Sequence, residues 1–545
     1  MQSKYPHIIK DIEDWPIRKF AKNRPQFIQE LNQYTYTRIK EQYKDGLEPL
    51  LSKTVYLESQ RVKNNPWKVD PPDDKEYWKE LKAELTQIAE RNNQDEAYDK
   101  LLRRIINRYS EEIVGDFVPK TYRFAKVFLS GFFRRIYFKA FGHGFFKMWG
   151  SKDKLLSKFR VSGSVEHVRA LYDHGTVILV PTHFSNLDSI QIGYVTDVKI
   201  GLPGFSFGAG LNLYDMEIIA YYLHRLGPYR VDRRKKNPIY LENLKSYTSL
   251  SLVKRNSNIF FPGGTRSRSG HLEDKLKLGL LGSVIDAQRY CIKHNLDNKI
   301  FIVPVVVSYN FVLEADSLIE QHLRKTGREK YMKTKKRRGK VKSTLSFIKR
   351  LYTRESDVAL KFAPPIDVIG NSLNLSGESL DRNGQIVDIS QFFEKEGEKN
   401  KDLQRETVYT KKLADKIVDA FREENVILAS HLVAFAAFKF LQEKHSELDI
   451  FGIVQLPINE VSIPYEEFML YFSVLRDKLF KMKALSLLDI DPELNGEVGE
   501  TILLGIKNLG IYHSDSPLYI ENKFVKTKSL KLLFYYHNRM DAYSL

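Results

Sequence analysis

Four short apolar runs constrain the fold of this chain more than any other feature of its sequence. From about residue 174 onward they are rich in Val and Ile, end in Pro or Gly, and are separated by helix-like stretches: TVILVPTH, NSNIFFPGG, KIFIVPVVVSYN and DVALKFAPP. Runs that are apolar on both faces are typical of strands in a sheet that helices cover. We therefore predict an α/β domain whose ligands lie at the carboxyl ends of its strands.

The regions on either side of this domain are predicted to be helical. Residues 1–115 are charged and show helical periodicity, as in EAYDKLLRRIINRYSEEI. Residues 371–403 are polar and are predicted to be a linker. After it, KKLADKIVDAFREENVILASHLVAFAAFKFL and YEEFMLYFSVLRDKLFKMKALSLL are typical of amphipathic helices. The expected order is a helical N-terminal region, the α/β domain (116–370), the linker and a mostly helical C-terminal domain (404–545).

The basic composition calls for an acidic partner. The 545 residues include 86 Lys and Arg against 68 Asp and Glu, a formal net charge of +18. Nucleic acid, an anionic membrane, an acidic carrier protein or a phosphorylated substrate would suit this charge. The single cysteine, Cys291, excludes an intramolecular disulfide and a thiolate metal cluster, and it fits a reducing compartment.

Two segments concentrate the positive charge. Residues 117–152 contain no Asp or Glu, and KTYRFAKVFLSGFFRRIYFKAFGHGFFKMWG mixes seven Lys or Arg with many aromatic residues. This mixture suits the headgroup layer of a membrane, although an amphipathic helix packed on a core is the alternative. Gly131, Gly142 and Gly144 are expected to divide it into short helices. Residues 324–342 hold eleven Lys or Arg and one acid, which fits a solvated loop or a surface for anionic lipid or an acidic protein.

Any membrane contact is expected to be peripheral. The first residues, MQSKYPHIIKDIEDWP, have no long apolar core and carry acids early, unlike a signal peptide. No run of about 18 uncharged apolar residues occurs, so we predict no membrane-spanning helix.

Polar residues follow two of the predicted strands. In ILVPTHFSNLDSIQIGY, His183 follows a strand and Asp188 comes five positions later. Such a histidine can act as a general base near neutral pH, and a carboxylate at its other ring nitrogen fixes the tautomer and stabilises the imidazolium. The spacing also fits a histidine that caps the next helix beside a helix-start aspartate.

The second strand end is FFPGGTRSRSG, residues 260–270. Gly263 and Gly264 permit a tight turn with exposed N–H groups, and Arg266 and Arg268 offer planar forks that match a phosphate. No acid lies nearby in the sequence, which would leave both arginines free for a phosphate. The alternative is an exposed basic turn that makes surface ion pairs.

Two further stretches lie around this loop. FGAGLNLYDMEIIAYYLHRLGPYRVDRRKK ends in a second basic cluster, Arg230, Arg233 and Arg234, which could also be a solvated helix end. IVPVVVSYN places Pro304 inside a strand, where prolines occur at edges or bulges for purely structural reasons.

Taken in order, these blocks resemble those of the glycerolipid acyltransferases. The blocks are His183-x4-Asp188 (an HX4D motif), AGLNL with RLGPYRVDRR, FPGGTRSRSG, and VPVVVSY. They are most similar to the glycerol-3-phosphate acyltransferase branch, which includes the dihydroxyacetone-phosphate acyltransferases, and GTRSRSG is the most specific piece. The resemblance covers about 174–310 and extends over 405–545, where KLLFYYHNRM is similar to the end of that branch, but not to residues before 115.

The resemblance implies a mixed sheet covered by helices and a direct acyl transfer. His183 would take the proton from the substrate hydroxyl as it attacks an acyl thioester, and Asp188 would hold and polarise His183. Pro304 would close the site near the acyl chain. The family needs no metal, no permanently bound cofactor and no acyl-enzyme; its cosubstrate is acyl-CoA or an acyl-acyl carrier protein (acyl-ACP).

The resemblance also implies a phosphate site. Arg266 and Arg268 would bind the phosphate of the acceptor with Arg233 assisting, and Gly264 and Thr265 would shape the loop.

One position departs from the family pattern. The third block normally reads E-G-T-R-S-R or E-G-G-R-S-R, and Gly263 stands here where the glutamate belongs. The nearest downstream acids, Glu273 and Asp274, are too far along the sequence to be the same residue. The glutamate is expected to orient the loop or the donor, and the intact His183–Asp188 pair argues that activity survives without it.

The predicted function is acyl transfer from a carrier-protein or coenzyme A thioester to glycerol 3-phosphate, giving lysophosphatidate at the cytoplasmic face of an anionic membrane. The acceptor could instead be lysophosphatidate or dihydroxyacetone phosphate, but the long C-terminal helical region favours glycerol 3-phosphate. Gly263 motivates a noncatalytic membrane-surface protein on the same fold. Nucleic-acid binding rests on charge alone, without a recognised reading module, and is not expected.

Overall fold

The computed structural model describes residues 4–44, 46–90, 94–137, 152–211, 217–326, 356–393, 403–543 and 545. The N-terminal part is helical, as predicted, with α1 Pro16–Lys22, α2 Arg24–Gln42, α3 Glu48–Asn64, α4 Asp74–Ala89 and α5 Asp95–Ile113. One face of these helices is apolar, and Leu51 and Leu102 are fully buried there. They share this core with Tyr247 of a helix from the α/β domain, so the N-terminal region packs directly on that domain.

A seven-stranded sheet forms the centre of the described part of the chain. Its strands are β1 Phe159–Gly163, β2 Gly175–Pro181, β3 Ser206–Gly210, β4 Pro228–Val231, β5 Asn258–Ile259, β6 Lys299–Tyr309 and β7 Val358–Phe362. The spatial order is β1-β7-β6-β2-β5-β3-β4. From β6 to β4 all neighbours are parallel, whereas β7 runs antiparallel to β6 and parallel to β1. The prediction of a mixed sheet is therefore confirmed, with all four apolar runs as strands.

Helices cover both faces of this sheet. They are α6 Pro119–Tyr137, α7 Lys152–Ser157, α8 Val165–His174, α9 Asp188–Val195, α10 Glu217–His224, α11 Pro238–Val253, α12 Leu278–Lys293 and α13 Ala315–Lys325. In β6, Val303 and Val305 point into one core, and Ile302 and Val306 point into another. Because side chains alternate along a strand, two apolar faces need the unbroken apolar run that the sequence has.

The C-terminal helices extend both cores. Their bounds are α14 Leu403–Glu423, α15 Ala429–Lys444, α16 Ile450–Ile453, α17 Tyr465–Ala484, α18 Val498–Asn508 and α19 Leu530–His537. Leu413 and Phe421 of α14 join the core on one face of the sheet, and Phe438 and Phe534 join the core on the other. Short strands accompany them: β11 Val426–Ile427, β12 Ser462–Pro464, β13 Asp489–Ile490, β14 Tyr519–Glu521 and β15 Phe524–Lys526.

Some predicted boundaries differ from the structure. Gly131 does not interrupt α6, because one glycine costs a helix only about 1 kcal/mol. The first part of the predicted linker forms β8 Ser372–Leu373, β9 Ser379–Leu380 and β10 Ile386–Val387, which pair in antiparallel fashion.

Three stretches that the sequence singles out lie outside the described residues. They are 138–151 of the basic aromatic segment, 327–342 of the basic run and 394–402 of the linker. Of the helices that the structure does describe, none combines the length and the apolar character needed to cross a bilayer.

Candidate active site

The imidazole of His183 is held by the carboxylate of Asp188. His183 follows β2, and Asp188 is the first residue of α9. Nδ1 of His183 lies 2.8 Å from Oδ2 of Asp188, which also accepts hydrogen bonds from the amides of Phe184 (2.8 Å) and Ser185 (2.9 Å). The Asp188 side chain is fully buried, whereas 16% of the His183 side chain is exposed. The pairing assigns the Nδ1 proton to this hydrogen bond, and Nε2 is then the nitrogen that can accept a proton.

A second layer of hydrogen bonds fixes Asp188 from behind. The hydroxyl of Tyr309, at the end of β6, lies 2.5 Å from Oδ1 of Asp188 and 2.7 Å from Oε1 of Gln191. Burial and the charge of Asp188 raise the pKa of Tyr309 well above its usual value, so the hydroxyl stays protonated and can donate. The sequence contains Tyr309 within VPVVVSY but gives no signal of this role, since the contact depends on β6 lying beside β2.

Contacts between the two loops bring the histidine next to the arginines. The amide of Ser267 donates a 2.7 Å hydrogen bond to the carbonyl oxygen of His183. The ring of Phe261 stacks on the imidazole, with centroids 4.1 Å apart. Because β2 and β5 are parallel neighbours, the loops that follow them meet at the same edge of the sheet.

An acid reaches Arg266 from a distant part of the sequence. Nη1 of Arg266 lies 3.2 Å from Oε1 of Glu314, just before α13. Glu314 also accepts hydrogen bonds from the Ser185 hydroxyl and the Asn186 amide, both at 3.0 Å. The expectation that no acid neutralises these arginines is therefore wrong for Arg266. It failed because Glu314 is remote in sequence and arrives through the fold.

Three of the predicted phosphate ligands lie close together. The positive charges of Arg266 and Arg268 add to burial in lowering the pKa of Arg233. Within the described residues, no carboxylate pairs with Arg233 or Arg268. Three guanidinium groups with one acid among them form a site of strong positive potential, which suits a dianionic phosphate.

The second basic cluster does not act as one unit. Arg234 is paired with Asp232 at 2.8 Å and with Asp70 of the N-terminal region. Arg230 donates a hydrogen bond to the carbonyl oxygen of Val69. Of this cluster, Arg233 is the arginine on which the charges of Arg266 and Arg268 act.

The glycine turn and the strand proline have clear local geometry. Gly264 has φ +72°, a value that favours glycine, and the Lys277 side chain packs over it. Thr265, the next residue, is half-buried in the same turn. Pro304 lies opposite Val180 of the neighbouring strand β2. On the other side of β6, regular pairing with β7 ends beside Pro304 and resumes where Ile366 pairs with Ile302, so the proline lies at a bulge. This is one of the two positions expected for a strand proline.

The C-terminal region supports the site from behind. The guanidinium of Arg539 lies over the ring of Phe184, 4.2 Å from its centroid, and donates to the carbonyl oxygen of Val307 at 2.9 Å. Burial lowers the pKa of Arg539 to about 10. Asn538 donates to the carbonyl oxygen of Ser269 in the arginine loop at 2.8 Å. Both residues belong to KLLFYYHNRM, a stretch noted in the sequence only for its resemblance.

A buried histidine completes this support. Nε2 of His431, in α15, donates to the carbonyl oxygen of Tyr309 at 2.9 Å. Burial and the charge of Arg539 lower the pKa of His431 to about 3, so it is neutral at physiological pH.

Among the residues that the structure covers, no group of three or more His, Cys, Asp or Glu side chains is arranged to hold a metal ion.

Comparison with known proteins agrees with the resemblance. Residues 160–308 match the family described as Acyltransferase. The glycerol-3-phosphate acyltransferase of Pseudomonas savastanoi pv. phaseolicola is 27% identical over 289 residues, which are 52% of this chain and 30% of that protein. The corresponding proteins of Ectopseudomonas mendocina (30% identity, 38% of this chain, 22% of the relative) and Aeromonas hydrophila (29%, 38% and 23%) are similar too. The matched part thus spans less than a third of each relative.

Proposed function

We propose that this chain transfers a fatty acyl group from an acyl thioester to glycerol 3-phosphate, giving lysophosphatidate. Residues 160–308 match the Acyltransferase family, and the relatives that resemble the chain are named glycerol-3-phosphate acyltransferase. The observation that carries the proposal is the proximity of a carboxylate-held histidine to three arginines, of which Arg266 alone pairs with a carboxylate among the described residues. A base next to a phosphate site suits an acceptor that has both a hydroxyl and a phosphate.

The base would act at Nε2 of His183. That nitrogen takes the hydroxyl proton while the hydroxyl oxygen attacks the thioester carbonyl carbon, and the imidazolium formed is stabilised by Asp188. When the carbon–sulfur bond breaks, the same proton passes to the departing thiolate. The atoms balance without an acyl-enzyme, because both substrates are held together for one direct transfer.

The phosphate would be bound by Arg266, Arg268 and Arg233. A dianion between them relieves the repulsion that lowers the pKa of Arg233. Glu314 pairs with Arg266, which limits the loop's freedom. Gly264 and Thr265 would allow the close approach of the loop to the phosphate, and Pro304 would shape the sheet below it.

The acyl donor could be a carrier-protein thioester or a coenzyme A thioester. Acceptors that share the phosphate, namely lysophosphatidate and dihydroxyacetone phosphate, fit the same chemistry. The donor and the acceptor are therefore compared directly in the experiment below.

We also propose that α6 contacts the anionic cytoplasmic face of a membrane, into which the product partitions. Three apolar side chains of this helix are unusually exposed: Phe124 (53%), Val127 (73%) and Phe128 (63%). Tyr221 of α10 is also 55% exposed, and its neighbour Tyr222 stacks on Phe124 at 5.1 Å. Basic residues accompany this aromatic surface and no acid interrupts it in α6, a combination that suits a headgroup layer.

The test is acyl transfer by the full chain in the presence of anionic vesicles. Carrier-protein and coenzyme A thioesters are each offered with labelled glycerol 3-phosphate, lysophosphatidate and dihydroxyacetone phosphate. We expect transfer to glycerol 3-phosphate. In His183→Ala, kcat should fall by about 10³-fold or more, because the imidazole that takes the hydroxyl proton and returns it to the thiolate is lost.

The matched control is His445→Ala, a histidine at the end of α15 beside Glu447. It should leave the rate unchanged. If the folded wild-type chain transfers no acyl group to any acceptor, the proposed enzymatic activity is contradicted. A noncatalytic membrane-surface protein on this fold is then favoured. Preference for another acceptor would correct the substrate but not the reaction.

A further inference from the structure

A carboxyl group with no partner lies buried beside the candidate catalytic pair. Glu273 follows the arginine loop and precedes α12. Its backbone and stem leave the residue half-buried, but both carboxyl oxygens are sealed from solvent. Neither oxygen meets full hydrogen-bond geometry with a described residue, although the backbone amide of His183 lies near enough to act on the carboxyl. Such a group is costly to bury, so its position needs a reason.

The carboxyl occupies the space beside Gly263. A Cβ atom added to Gly263 would lie 2.5 Å from Oε1 and 3.0 Å from Cδ of Glu273. Gly263 is not among the glycines with positive φ, so its backbone would accept a side chain. The end of the Glu273 side chain fills the space that a side chain here would need, so one of the two would have to move. The two residues that the sequence separates by ten positions thus meet in the fold.

The same carboxyl faces the catalytic pair. Burial and the negative charge of Asp188 raise the pKa of Glu273 to about 8, and the backbone amide of His183 and the guanidinium of Arg539 offset part of this rise. The groups around it therefore come from the His183 loop, the start of α9 and the C-terminal region. Near neutral pH the carboxyl is mostly protonated and can sit beside Asp188 without repulsion.

We propose that Glu273 is a positioning residue of this site: its carboxyl, seated on bare Gly263, holds the Arg266–Arg268 loop against the loop that carries His183. The Glu273 side chain thus supplies the carboxyl that orients the loop, a role that the family pattern gives to a glutamate at position 263. The inference rests on the proposed function for its kinetic readout, but its structural readout does not depend on turnover.

The first test exchanges the two positions. Glu273→Ala should lower kcat/KM for glycerol 3-phosphate by about 10²-fold, because a loop displaced by about 1 Å costs that much. Gly263→Glu should also lower it, since two carboxyls then compete for one space. The double variant Gly263→Glu/Glu273→Ala places one carboxyl back and should recover at least tenfold over either single variant. Asp274→Asn, an exposed neighbouring acid, is the control.

The second test is the pH profile. Ionisation of Glu273 puts a charge next to Asp188, so wild-type activity should fall above about pH 8, where a general base alone would keep it high. Glu273→Gln keeps the shape without an ionisable proton. It should lose less activity than Glu273→Ala at pH 7, and its activity should not fall above pH 8. If Glu273 had a purely structural role, the activity of Glu273→Gln above pH 8 would follow the same curve as that of wild type.

The third test needs no substrate. The Ser267 amide, which donates to the His183 carbonyl oxygen, reports whether the two loops stay together. Its hydrogen exchange should be at least tenfold faster in Glu273→Ala than in wild type or Asp274→Asn, and normal in the double variant.

Unchanged exchange and activity in a folded Glu273→Ala, or a double variant no better than the worse single variant, would overturn the proposal. If wild type transfers no acyl group, the proposed function fails, and the exchange measurement alone decides the role of Glu273.

Discussion

Two arginines that are adjacent in sequence have opposite surroundings in the fold. Arg234 is paired with Asp232 and Asp70 and also donates to the carbonyl oxygen of Asn65 at 2.8 Å. Arg233 has no such carboxylate among the described residues, and its nearest charged neighbours include Arg266 and Arg268. Composition and spacing cannot distinguish the two, but their partners can. Paired arginines hold the chain together here, and the underpaired ones define the site.

The paired group extends into the N-terminal helices. Arg61 of α3 has 3% of its side chain exposed and contacts Glu58 at 2.8 Å and Asp74. Asn237, which begins the turn into α11, donates to Glu58 at 2.8 Å and to the hydroxyl of Tyr109 at 2.9 Å. The N-terminal region therefore anchors the segment that carries Arg233. This gives a structural purpose to residues that carry no motif.

The largest effect is expected from removing the most buried paired arginine. Arg61→Met removes the ion-pair partner of Glu58 and one of the arginine partners of Asp74, and breaking a buried pair costs about 3–5 kcal/mol of unfolding free energy. Denaturant unfolding measures this loss, and Arg103→Met, an exposed arginine of α5 over the Tyr36 ring, serves as the control. KM for glycerol 3-phosphate should not change in the folded fraction. A higher KM with normal stability would break the comparison.

The underpaired arginines should behave in the reverse way. Arg268→Ala should lower kcat/KM for glycerol 3-phosphate by roughly 10–150-fold, the worth of a charge-assisted hydrogen bond of about 1.5–3 kcal/mol. Its unfolding free energy should stay within about 0.5 kcal/mol of wild type. Arg268→Lys should recover only part of the loss, because an ammonium lacks the planar fork. A stability loss comparable to that of Arg61→Met would show that Arg268 is structural.

The adjacent residues Arg233 and Arg234 give the most direct comparison, although the expected effects are smaller. Arg233→Ala should raise KM for glycerol 3-phosphate by about tenfold with little change in stability. Arg234→Ala should lower the unfolding free energy by about 1–3 kcal/mol, because Asp232 loses its arginine and Asp70 keeps Arg61 alone. Both variants are measured by denaturant unfolding and by steady-state kinetics. Identical effects of the two would mean that pairing in the fold does not separate their roles.

Patterns confined to one segment predict much of this molecule. The four apolar runs become strands because each is apolar on both faces, and the helical regions follow from their periodicity. His183 and Asp188 lie five positions apart and meet across one turn; this spacing fits either a carboxylate-held base or a helix cap, and the resemblance to the acyltransferases favours the pair. The arginine loop was found for the same reason, since its glycines and arginines are consecutive.

Contacts between distant segments could not be predicted in this way. Tyr309, Glu314 and Arg539 complete the site from β6, the start of α13 and the chain's end, and none carries a local pattern for that role. Ten positions separate Glu273 from Gly263, so the sequence does not predict that they touch, although a loop that folds back brings them into contact. Separation in the sequence therefore does not predict which residues touch where a loop folds back on itself. Here the loop is closed by a hydrogen bond from the Lys277 amide to the Pro262 carbonyl oxygen.

The smallest effect concerns the empty site. If Arg233, Arg266 and Arg268 repel one another, removing one of them should relieve that repulsion, so Arg268→Ala without phosphate should be about 0.2–0.5 kcal/mol more stable than wild type. Adding inorganic phosphate at its Kd should stabilise wild type by about 0.4 kcal/mol through mass action, and less in the variant. Both changes raise the unfolding free energy, but the gain from phosphate should be larger in wild type than in the variant. Thermal unfolding with chloride at matched ionic strength separates phosphate binding from screening. Equal stabilisation by chloride and phosphate would mean that the three guanidinium groups do not form a phosphate site.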